Sequence, residues 1–448
     1  MLQSLGRKSA IWSERIIPDA FVFAVILSAV IFLLGIVVAD KTPVEMVGYW
    51  YDGFWNFLGF SMQMVLILLT GYVLAQSPPI RAVIQRLAGQ PKTSRQAILL
   101  IAVVTIFAGF INWGLGLVIG AILAIAVSLS AKQRGIRVHF PLAVAAGYLA
   151  LSIHSAGFSS TAPLIVNTDN HFLFQQIGRI PFTETVLTSW NFLAVLAYII
   201  VVPLLLVFLS PPEDEVREVG DFHESKPTEE GLDGEPAATL VKKLENSRLI
   251  TALVVLPGLY YISSYFYDRG FDLNINIVNF TFLIIGLALY QRPLLYIKAI
   301  TAASSSAAGI VVQFPFYAGI LGMMSLSGLI EVFSGGMVAV STQYTFPILA
   351  FFSAALVNFF VPSAGGQWAV QGPILLQAGE ALNVPVGVTI MAHQYGDQLT
   401  NMLQPFWALP LLGLTGLKAR DILGYTALTM IPALVIFGLP LLILPYIW

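Results

Sequence analysis

The sequence predicts an all-α polytopic membrane protein made of two inverted repeats, each with a re-entrant hairpin and a broken helix. Of the 448 residues, 57% are hydrophobic and only 10% are charged, whereas soluble domains carry about 25% charged residues. Apolar segments long enough to cross a bilayer recur along the chain, and Lys and Arg lie between them or at their ends. This composition excludes a cytosolic enzyme, a disordered protein and a nucleic-acid-binding protein.

Several segments have the length and apolar character of a simple span, which needs about 20 residues. They are residues 20–39, 56–75, 187–209, 249–266, 273–290, 299–325 and 422–446. The first is not a cleavable signal, because many apolar segments follow it. Residues 2–15, ahead of it, are expected to form an interfacial amphipathic stretch.

Two longer apolar runs, residues 97–127 and 346–378, do not fit a simple span. As single helices they would be about 46–50 Å long, against a hydrocarbon core of about 30 Å. Each is interrupted near its middle by a polar, glycine-rich stretch, at 112–116 and at 362–367. We expect two half-helices to meet there as a re-entrant hairpin.

Two further segments begin as apolar helices and then break. Residues 141–168 carry a polar stretch at 152–161, and residues 386–416 carry one at 396–404. Both patterns predict helices that unwind in the middle of the membrane. The remaining segments are expected to be connecting loops.

The 22 Lys and Arg residues test the hairpins independently through the positive-inside rule. With a cytoplasmic N-terminus, 19 of them fall inside and 3 outside. Both flanks of 97–127 are then basic and cytoplasmic, whereas both flanks of 346–378 are external and lack Lys and Arg. The chain is expected to cross nine times, with two hairpins of opposite orientation and an external C-terminus.

The same order of elements occurs twice: span, span, hairpin, broken helix, span. Asn112 and Pro362, at the two hairpin tips, are separated by 250 residues. The predicted division is a first repeat at 1–209, a cytoplasmic linker at 210–248, a linking helix at 249–266 and an inverted second repeat at 267–448. The linker has 11 acidic and 5 basic residues and is expected to be solvated and flexible. Inverted repeats with discontinuous helices are typical of secondary transporters.

Asp397 is the one acidic residue predicted to lie at mid-membrane. A central Asp costs about 2.5–3.5 kcal/mol on insertion scales, so we expect a functional role: binding of a coupling cation, H⁺ or Na⁺. His393 and Asn401 would share its helix face unless the break disturbs the register. The alternative is a structural carboxylate, satisfied by His393 or by backbone N–H groups. His154 and His393 are candidates for substrate contact or for hydrogen-bonded packing.

With no Lys or Arg at depth, a carboxylate substrate must be held by helix N-termini, amides and hydroxyls. The hairpin tips and the breaks supply these groups. The candidate substrate-binding residues are Asn112, Trp113, Gly114 and Gly116; Ser155, Ser159, Ser160 and Thr161; Ser363, Gly365, Gly366 and Gln367; and Gln398, Thr400 and Asn401. The alternative is that the small residues only permit close helix packing.

The sequence carries no sign of an enzyme. It lacks HExxH and GxSxG motifs and has no acidic pair within the predicted spans. It has no cysteine, which excludes disulfides and cysteine metal sites. We expect no cofactor and no metal, apart from a possible Na⁺ near Asp397.

Several blocks of the sequence resemble one family over nearly the whole chain. They are DGFWNFLGFSMQM (52–64), INWGLGLVIGA (111–121), VQFPFYAGI (312–320), VPSAGGQWAVQGP (361–373) and NMLQPFWALP (401–410). They are similar to the bacterial short-chain fatty acid transporter family, the AtoE-like proteins, within the ion-transporter superfamily. The resemblance implies uptake of acids such as acetoacetate and butyrate across the bacterial inner membrane.

The resemblance also implies a homodimeric elevator transporter, whose two hairpin tips and two broken helices hold substrate and cation. By this resemblance, the substrate and cation site is expected to comprise Asn112–Gly116, Ser155–Thr161, Ser363–Gln367 and Asp397–Asn401. The leading hypothesis is co-transport of a small monocarboxylate with H⁺ or Na⁺. An ion or other-anion exchanger of the same architecture and a passive anion channel remain alternatives.

Overall fold

The computed structural model describes residues 20–212, 215–220, 240–359 and 361–447. The predicted interfacial stretch 2–15 lies outside these residues, as does much of the predicted linker. Within the described part, the secondary structure is α-helix and short 3₁₀ turns, without β-strands. Eight helical stretches there are long and apolar enough to cross a membrane. The predicted all-α polytopic class is confirmed.

Numbered along the chain, the helices up to the linker are α1 Ala20–Val37, α2 Pro43–Phe54, α3 Leu58–Ala75, α4 Pro78–Ala88, α5 Ser94–Ile111, α6 Trp113–Gln133, α7 Phe140–Gly147, α8 Ala150–Ile153, α9 Thr161–Val166, α10 Phe174–Ile177 and α11 Ser189–Phe208. Those that follow are α12 Leu240–Glu245, α13 Arg248–Arg269, α14 Ile275–Tyr290, α15 Pro293–Ala303, α16 Ala308–Ser327, α17 Leu329–Val340, α18 Phe346–Asn358, α19 Ala364–Ala381, α20 Val386–Asn401, α21 Pro405–Thr415 and α22 Ala419–Ile443.

Helices α5 and α6 form the first hairpin. One extended residue, Asn112, joins them, with φ −156° and ψ 130°. The arms touch through glycines, since a Cβ added to Gly116 would lie 2.5 Å from the Gly109 Cα. The hairpin covers 94–133 and is longer than the predicted 97–127, because both arms continue into polar residues at their basic ends.

Helices α18 and α19 form the second hairpin. Ser363 begins α19 as its N-cap, and its hydroxyl accepts a hydrogen bond from the Gly366 N–H at 3.3 Å. The two helices extend over 346–381, three residues beyond the predicted end. Helix α19 packs against α16, and α6 packs against α3. One arm of each hairpin therefore contacts the long helix that comes before that hairpin in the same half of the chain.

The first interrupted helix consists of α7, α8, a 3₁₀ turn at His154–Ala156, and α9. Its regular α-helix ends at Gly147, so the irregular stretch begins earlier than the predicted break at 152–161. Helix α9 resumes at Thr161. The polar residues of the break are buried in protein, as mid-membrane loops must be.

The second interrupted helix breaks later than predicted. Helix α20 runs continuously from Val386 to Asn401, and only 402–404 separate it from α21. The predicted break at 396–404 is therefore too wide. Pro405 begins α21, where its missing N–H is tolerated, and this proline sets the interruption. Asp397 accordingly lies on a regular helix.

Four short helices, α2, α4, α15 and α17, occupy stretches assigned wholly or partly to loops. Helices α2, α4 and α15 begin at Pro43, Pro78 and Pro293, the helix position that proline favours. Two charged residues each give α2 and α4 a more loop-like composition, whereas α15 and α17 carry one each and are mostly apolar. The order long helix, short helix, long helix, short helix, hairpin occurs from α1 and again from α14.

The second arm of the first hairpin touches α7 at a glycine pair. A Cβ on Gly120 would lie 2.0 Å from the Gly147 carbonyl oxygen. We expect Gly120→Ala to destabilise the protein by about 1–3 kcal/mol, because a backbone contact cannot yield as a flexible side chain can. Thermal unfolding in detergent measures the effect. Gly48→Ala is the matched control, because Gly48 is also helical but a Cβ added there would have no neighbouring atom within 4 Å. This variant should leave the melting temperature unchanged or slightly higher. Equal melting temperatures for both variants would contradict the packing role.

Residues 215–220 of the linker are docked, which corrects the prediction of a solvated, flexible connector for this part of it. Val219 is 1% exposed. The Phe140 N–H donates to the Arg217 carbonyl at 2.8 Å, and the Arg217 N–H donates to His139 Nδ1 at 3.1 Å. Ion pairs of Arg217 with Asp421 and of Arg137 with Glu218 complete the attachment to the ends of α7 and α22.

Docking of the linker should depend on pH through His139. Burial and the nearby Arg217 charge lower the pKa of His139 to about 4, against about 6.5 when it is exposed. The undocked state therefore takes up a proton first, so docking is complete above pH 6.5 and weakens as the pH falls toward 4. A spin label on Gly220→Cys, in a chain without native cysteine, should gain mobility across this window. His139→Asn keeps a hydrogen-bond acceptor but does not titrate, so it should abolish the pH dependence of the label's mobility. An identical pH response in that variant would contradict the role of His139.

Candidate substrate and cation site

A small, mostly apolar cavity lies where both hairpin tips and both interrupted helices meet. Its lining residues are Met64, Trp113, Leu151, His154, Thr161, Ile310, Phe314, Ser363, Ala364, Gly365, Asn401 and Trp407. Five candidate substrate-binding residues are thereby brought together: Trp113, Thr161, Ser363, Gly365 and Asn401. Helices α3 and α16 add the apolar walls.

The second hairpin tip presents free backbone donors to this cavity. In the first turn of α19, the Ser363 hydroxyl and carbonyl accept the N–H groups of Gly366 and Gln367. The N–H groups of Ala364 and Gly365 are left without an acceptor among the described residues, as the first donors of a helix are. Both residues line the cavity, so the N-terminus of an 18-residue helix can receive an anion there.

The first hairpin tip is closed by its own caps. The Asn112 side-chain oxygen accepts the Leu115 N–H at 2.9 Å, and Ser159 Oγ accepts the Trp113 N–H at 3.0 Å. The Asn112 amide nitrogen points away from the cavity, toward the Ile67 carbonyl of α3 at 3.5 Å. Of this tip, Trp113 lines the cavity, and its N–H is already bonded to Ser159.

The other tip glycines serve close packing. A Cβ on Gly114 would lie 3.1 Å from the Leu68 carbonyl oxygen, and one on Gly366 would lie 2.4 Å from the Tyr317 ring. Gly116 meets the facing arm of its hairpin. The packing interpretation of small residues therefore suits these three positions.

Asp397 lies one turn before the cavity-lining Asn401 on α20 and is 1% exposed. Neither carboxylate oxygen makes a hydrogen bond of standard geometry, although Ser155 is close enough to interact. His154 Nδ1 lies 3.2 Å from the Leu151 carbonyl and must carry the proton, so His154 Nε2 accepts from Ser155. The single Ser155 hydroxyl proton can thus serve either His154 or Asp397.

Two amides of the second hairpin also leave buried oxygens unpaired. The Asn358 amide nitrogen donates to the Asp397 carbonyl at 2.7 Å, to Thr400 Oγ1 and to Asn401 Oδ1, which fixes its orientation. The Gln367 amide nitrogen likewise donates to the Ala354 carbonyl at 2.8 Å. Asn358 Oδ1 and Gln367 Oε1 are left buried and unpaired, in addition to both Asp397 oxygens.

The remaining candidates lie around this set. The Ser160 hydroxyl donates to the Ser155 carbonyl, and Thr400 donates to the Ala355 carbonyl at 3.0 Å. Gln398 is fully buried, and both polar atoms of its amide are unpaired. His393 lies one turn before Asp397 on α20, where its ring contacts that of Trp368. Within the described ranges, His, Asp and Glu form no group of three that could hold a metal ion.

Sequence reasoning missed several residues of this region. Asn358 is the one amide side chain in the otherwise largely apolar run FFSAALVN, and that was the available signal. Ala364 contributes only its backbone, and Met64, Phe314 and Trp407 contribute apolar surface. Composition does not distinguish such residues from ordinary packing residues.

A second, more open pocket adjoins the cavity. It is lined by Asn56, Phe57, Gly59, Phe60, Gln63, Ile165, Thr168, Asp169, Asn170, His171, Phe172 and Ile275. We call it the vestibule, and the Lys and Arg pattern assigns it to the outer side. Phe60 links the two spaces, because its ring centroid is 5.7 Å from that of Phe172 in the vestibule and 5.4 Å from that of Phe314 in the cavity.

Interrupted helices and helical hairpins meeting at an internal cavity are the architecture of a secondary transporter. The family model for the short chain fatty acid transporter matches residues 1–444. An Escherichia coli (strain K12) protein named "Putative short-chain fatty acid transporter" is 39% identical, over 98% of this chain and 100% of its own. A Haemophilus influenzae protein of the same name is also 39% identical, over 98% and 99%.

The chain therefore belongs to the short-chain fatty acid transporter family, whose members are membrane transporters and not enzymes. Among solved structures, the YdaH transporter of Alcanivorax borkumensis shares the fold. The two superpose with a TM-score of 0.57 at 17% identity, over 96% of this chain and 98% of the other.

Proposed function

We propose that the protein is a secondary active transporter that takes up short-chain monocarboxylates, such as butyrate and acetoacetate, together with H⁺ or Na⁺. The observation that carries this proposal is the cavity, where the free amides of Ala364 and Gly365 face apolar walls. A small carboxylate with a short aliphatic chain matches both features. Its carboxylate would accept the two N–H groups at the α19 N-terminus.

The walls limit the substrate to a small one. Trp113, Phe314 and Ile310 contribute apolar walls. Thr161 and Asn401 contribute polar side chains that can form hydrogen bonds with the substrate. None of the cavity-lining residues is Lys or Arg. An anion there is compensated by a helix dipole and by a co-bound cation rather than by a basic side chain.

Asp397 is the proposed site of the coupling cation. Its two oxygens, with Asn358 Oδ1 and Gln367 Oε1, are unpaired acceptors in a fully buried region. Oxygen acceptors suit a hard cation such as Na⁺, and a proton on Asp397 would neutralise the same carboxylate. Asn401, whose side chain links α18 to the first interrupted helix, would transmit occupancy to the cavity.

Alternating access would follow from movement of the two hairpins and interrupted helices against the helices that hold them. The proposed moving part comprises α5–α11 and α18–α22, and the proposed scaffold comprises α1–α4 and α13–α17. By family resemblance, we also propose a homodimer in the bacterial inner membrane.

Uptake of labelled butyrate into proteoliposomes tests the proposal. An inward H⁺ or Na⁺ gradient should drive accumulation above equilibrium, unlabelled acetoacetate should compete, and only one of the two ions should be required. A passive channel would equilibrate butyrate without accumulation. An exchanger would require an internal counter-anion, and either result would contradict the proposal.

A further inference from the structure

Two buried N–H groups have no role in the site described so far. The rings of His393 in α20 and Trp368 in α19 meet edge to face, with centroids 5.0 Å apart and planes at 70°. Both residues are 0% exposed. Neither His393 Nε2 nor Trp368 Nε1 has a hydrogen-bond partner.

The neighbouring hydrogen bonds fix the tautomer of His393. Ala162 lies in the first turn of α9, so its N–H has no helical acceptor, and it donates to Gln394 Oε1 at 3.3 Å. This orients the Gln394 amide nitrogen toward His393 Nδ1, 3.1 Å away, and Nδ1 accepts. In a neutral imidazole the proton is then on Nε2.

The two rings therefore present two donors and no acceptor. An N–H pointing at the face of the neighbouring ring can satisfy at most one of them. A buried donor without an acceptor is destabilising, so each of these groups is expected to have a partner when the site is occupied. Because His393 Nε2 carries a proton, it cannot ligate the cation expected from sequence, and it requires an acceptor instead.

The pair is linked by packing and by chain position to residues of both the vestibule and the central cavity. Trp368 is one turn along α19 from Ala364, which lines the cavity. Trp368 belongs to an aliphatic cluster with Ile165 and Ile390, against which the vestibule residues Phe60 and Phe172 pack. The two donors therefore lie close to residues of both spaces.

We propose that His393 and Trp368 form an outer carboxylate-binding position, occupied by the substrate between the vestibule and the central cavity. The inference rests on the proposed function and adds a second site to it. Two donors without an acceptor select an oxygen anion and exclude a cation. The adjoining aliphatic cluster suits the short chain of a monocarboxylate.

Butyrate kinetics measured separately from each side test this assignment. In right-side-out vesicles, Trp368→Phe and His393→Met should each raise the KM for external butyrate about 10-fold, because each removes one hydrogen bond to a charged group. The maximal rate and the KM for internal butyrate in efflux should stay within about twofold of wild type, because the central site is intact. His393→Asn, which restores a side-chain donor, should recover most of the external affinity.

An unchanged external KM in both variants would overturn the inference and assign the donors to bound water. An equal rise on both sides, or a fall in maximal rate alone, would show a structural role and would also overturn it. The two variants lie on different helices, so misfolding of one, detected by size-exclusion chromatography, leaves the other as a test. If wild-type protein transports no short-chain monocarboxylate, the proposed function itself fails, which is a separate result.

Discussion

Replacing Asp397 with Asn should abolish gradient-driven accumulation of butyrate while leaving a folded protein. The carboxylate is buried and has two unpaired oxygens. Within a membrane it must be neutralised in each transport cycle, and its insertion cost of about 2.5–3.5 kcal/mol indicates a functional group. Asn has the same shape but neither binds a proton nor offers a charge to Na⁺. Accumulation should fall to the equilibrium level in proteoliposomes, whichever ion is the driver.

Asp268→Asn is the matched control, since Asp268 is an exposed carboxylate at the outer end of α13. It should accumulate butyrate as wild type does. Undiminished accumulation by Asp397→Asn would show that Asp397 has no part in coupling and would support a structural role for this carboxylate. Loss in both variants would point to a general effect on the protein.

Replacing Ala364 with Pro should raise the KM for butyrate by about 10-fold or more, because it deletes one N–H donor to a carboxylate, worth about 1.5–3 kcal/mol. Ala364 is the first residue of α19, the position where proline is best tolerated. Ser363 before it has φ −149° and ψ 108°, an extended conformation of the kind a following proline requires. The substitution therefore removes the donor without removing the helix.

Ala364→Gly is the control, because it keeps the N–H and adds no atoms. Its KM should stay near the wild-type value. A proline variant with normal affinity would show that the carboxylate binds elsewhere in the cavity. Thermal unfolding of both variants separates loss of binding from loss of the fold.

Elementary length arguments predicted the hairpins well. The runs around Asn112 and Ser363 are too long for one span, and the structure turns at both residues. Position alone did not reveal what the polar tip residues do. Asn and Ser cap helices with the same atoms that would bind a ligand, and here the Asn112 and Ser159 side-chain oxygens accept N–H groups of the first turn of α6.

The end of α20 and the docked linker were harder to predict, for different reasons. The stretch GDQLTN has the composition of a loop, yet it is helical and buried. Asn358 pairs with the Thr400 and Asn401 side chains, contacts that the local composition does not reveal. The linker near Arg217 is held mainly through backbone groups, including the bond to His139. Sequence composition does not indicate which backbone groups of a polar segment will be paired.

The most direct test of the central claim is a structure of the protein in lipid nanodiscs with bound 4-bromobutyrate, whose bromine marks the end of the chain. We expect density in the cavity, with the carboxylate at the Ala364 and Gly365 N–H groups and the bromine against Phe314 and Ile310. Density at the first hairpin tip, or an empty cavity at a concentration that saturates transport, would contradict the assignment of this cavity as the substrate site.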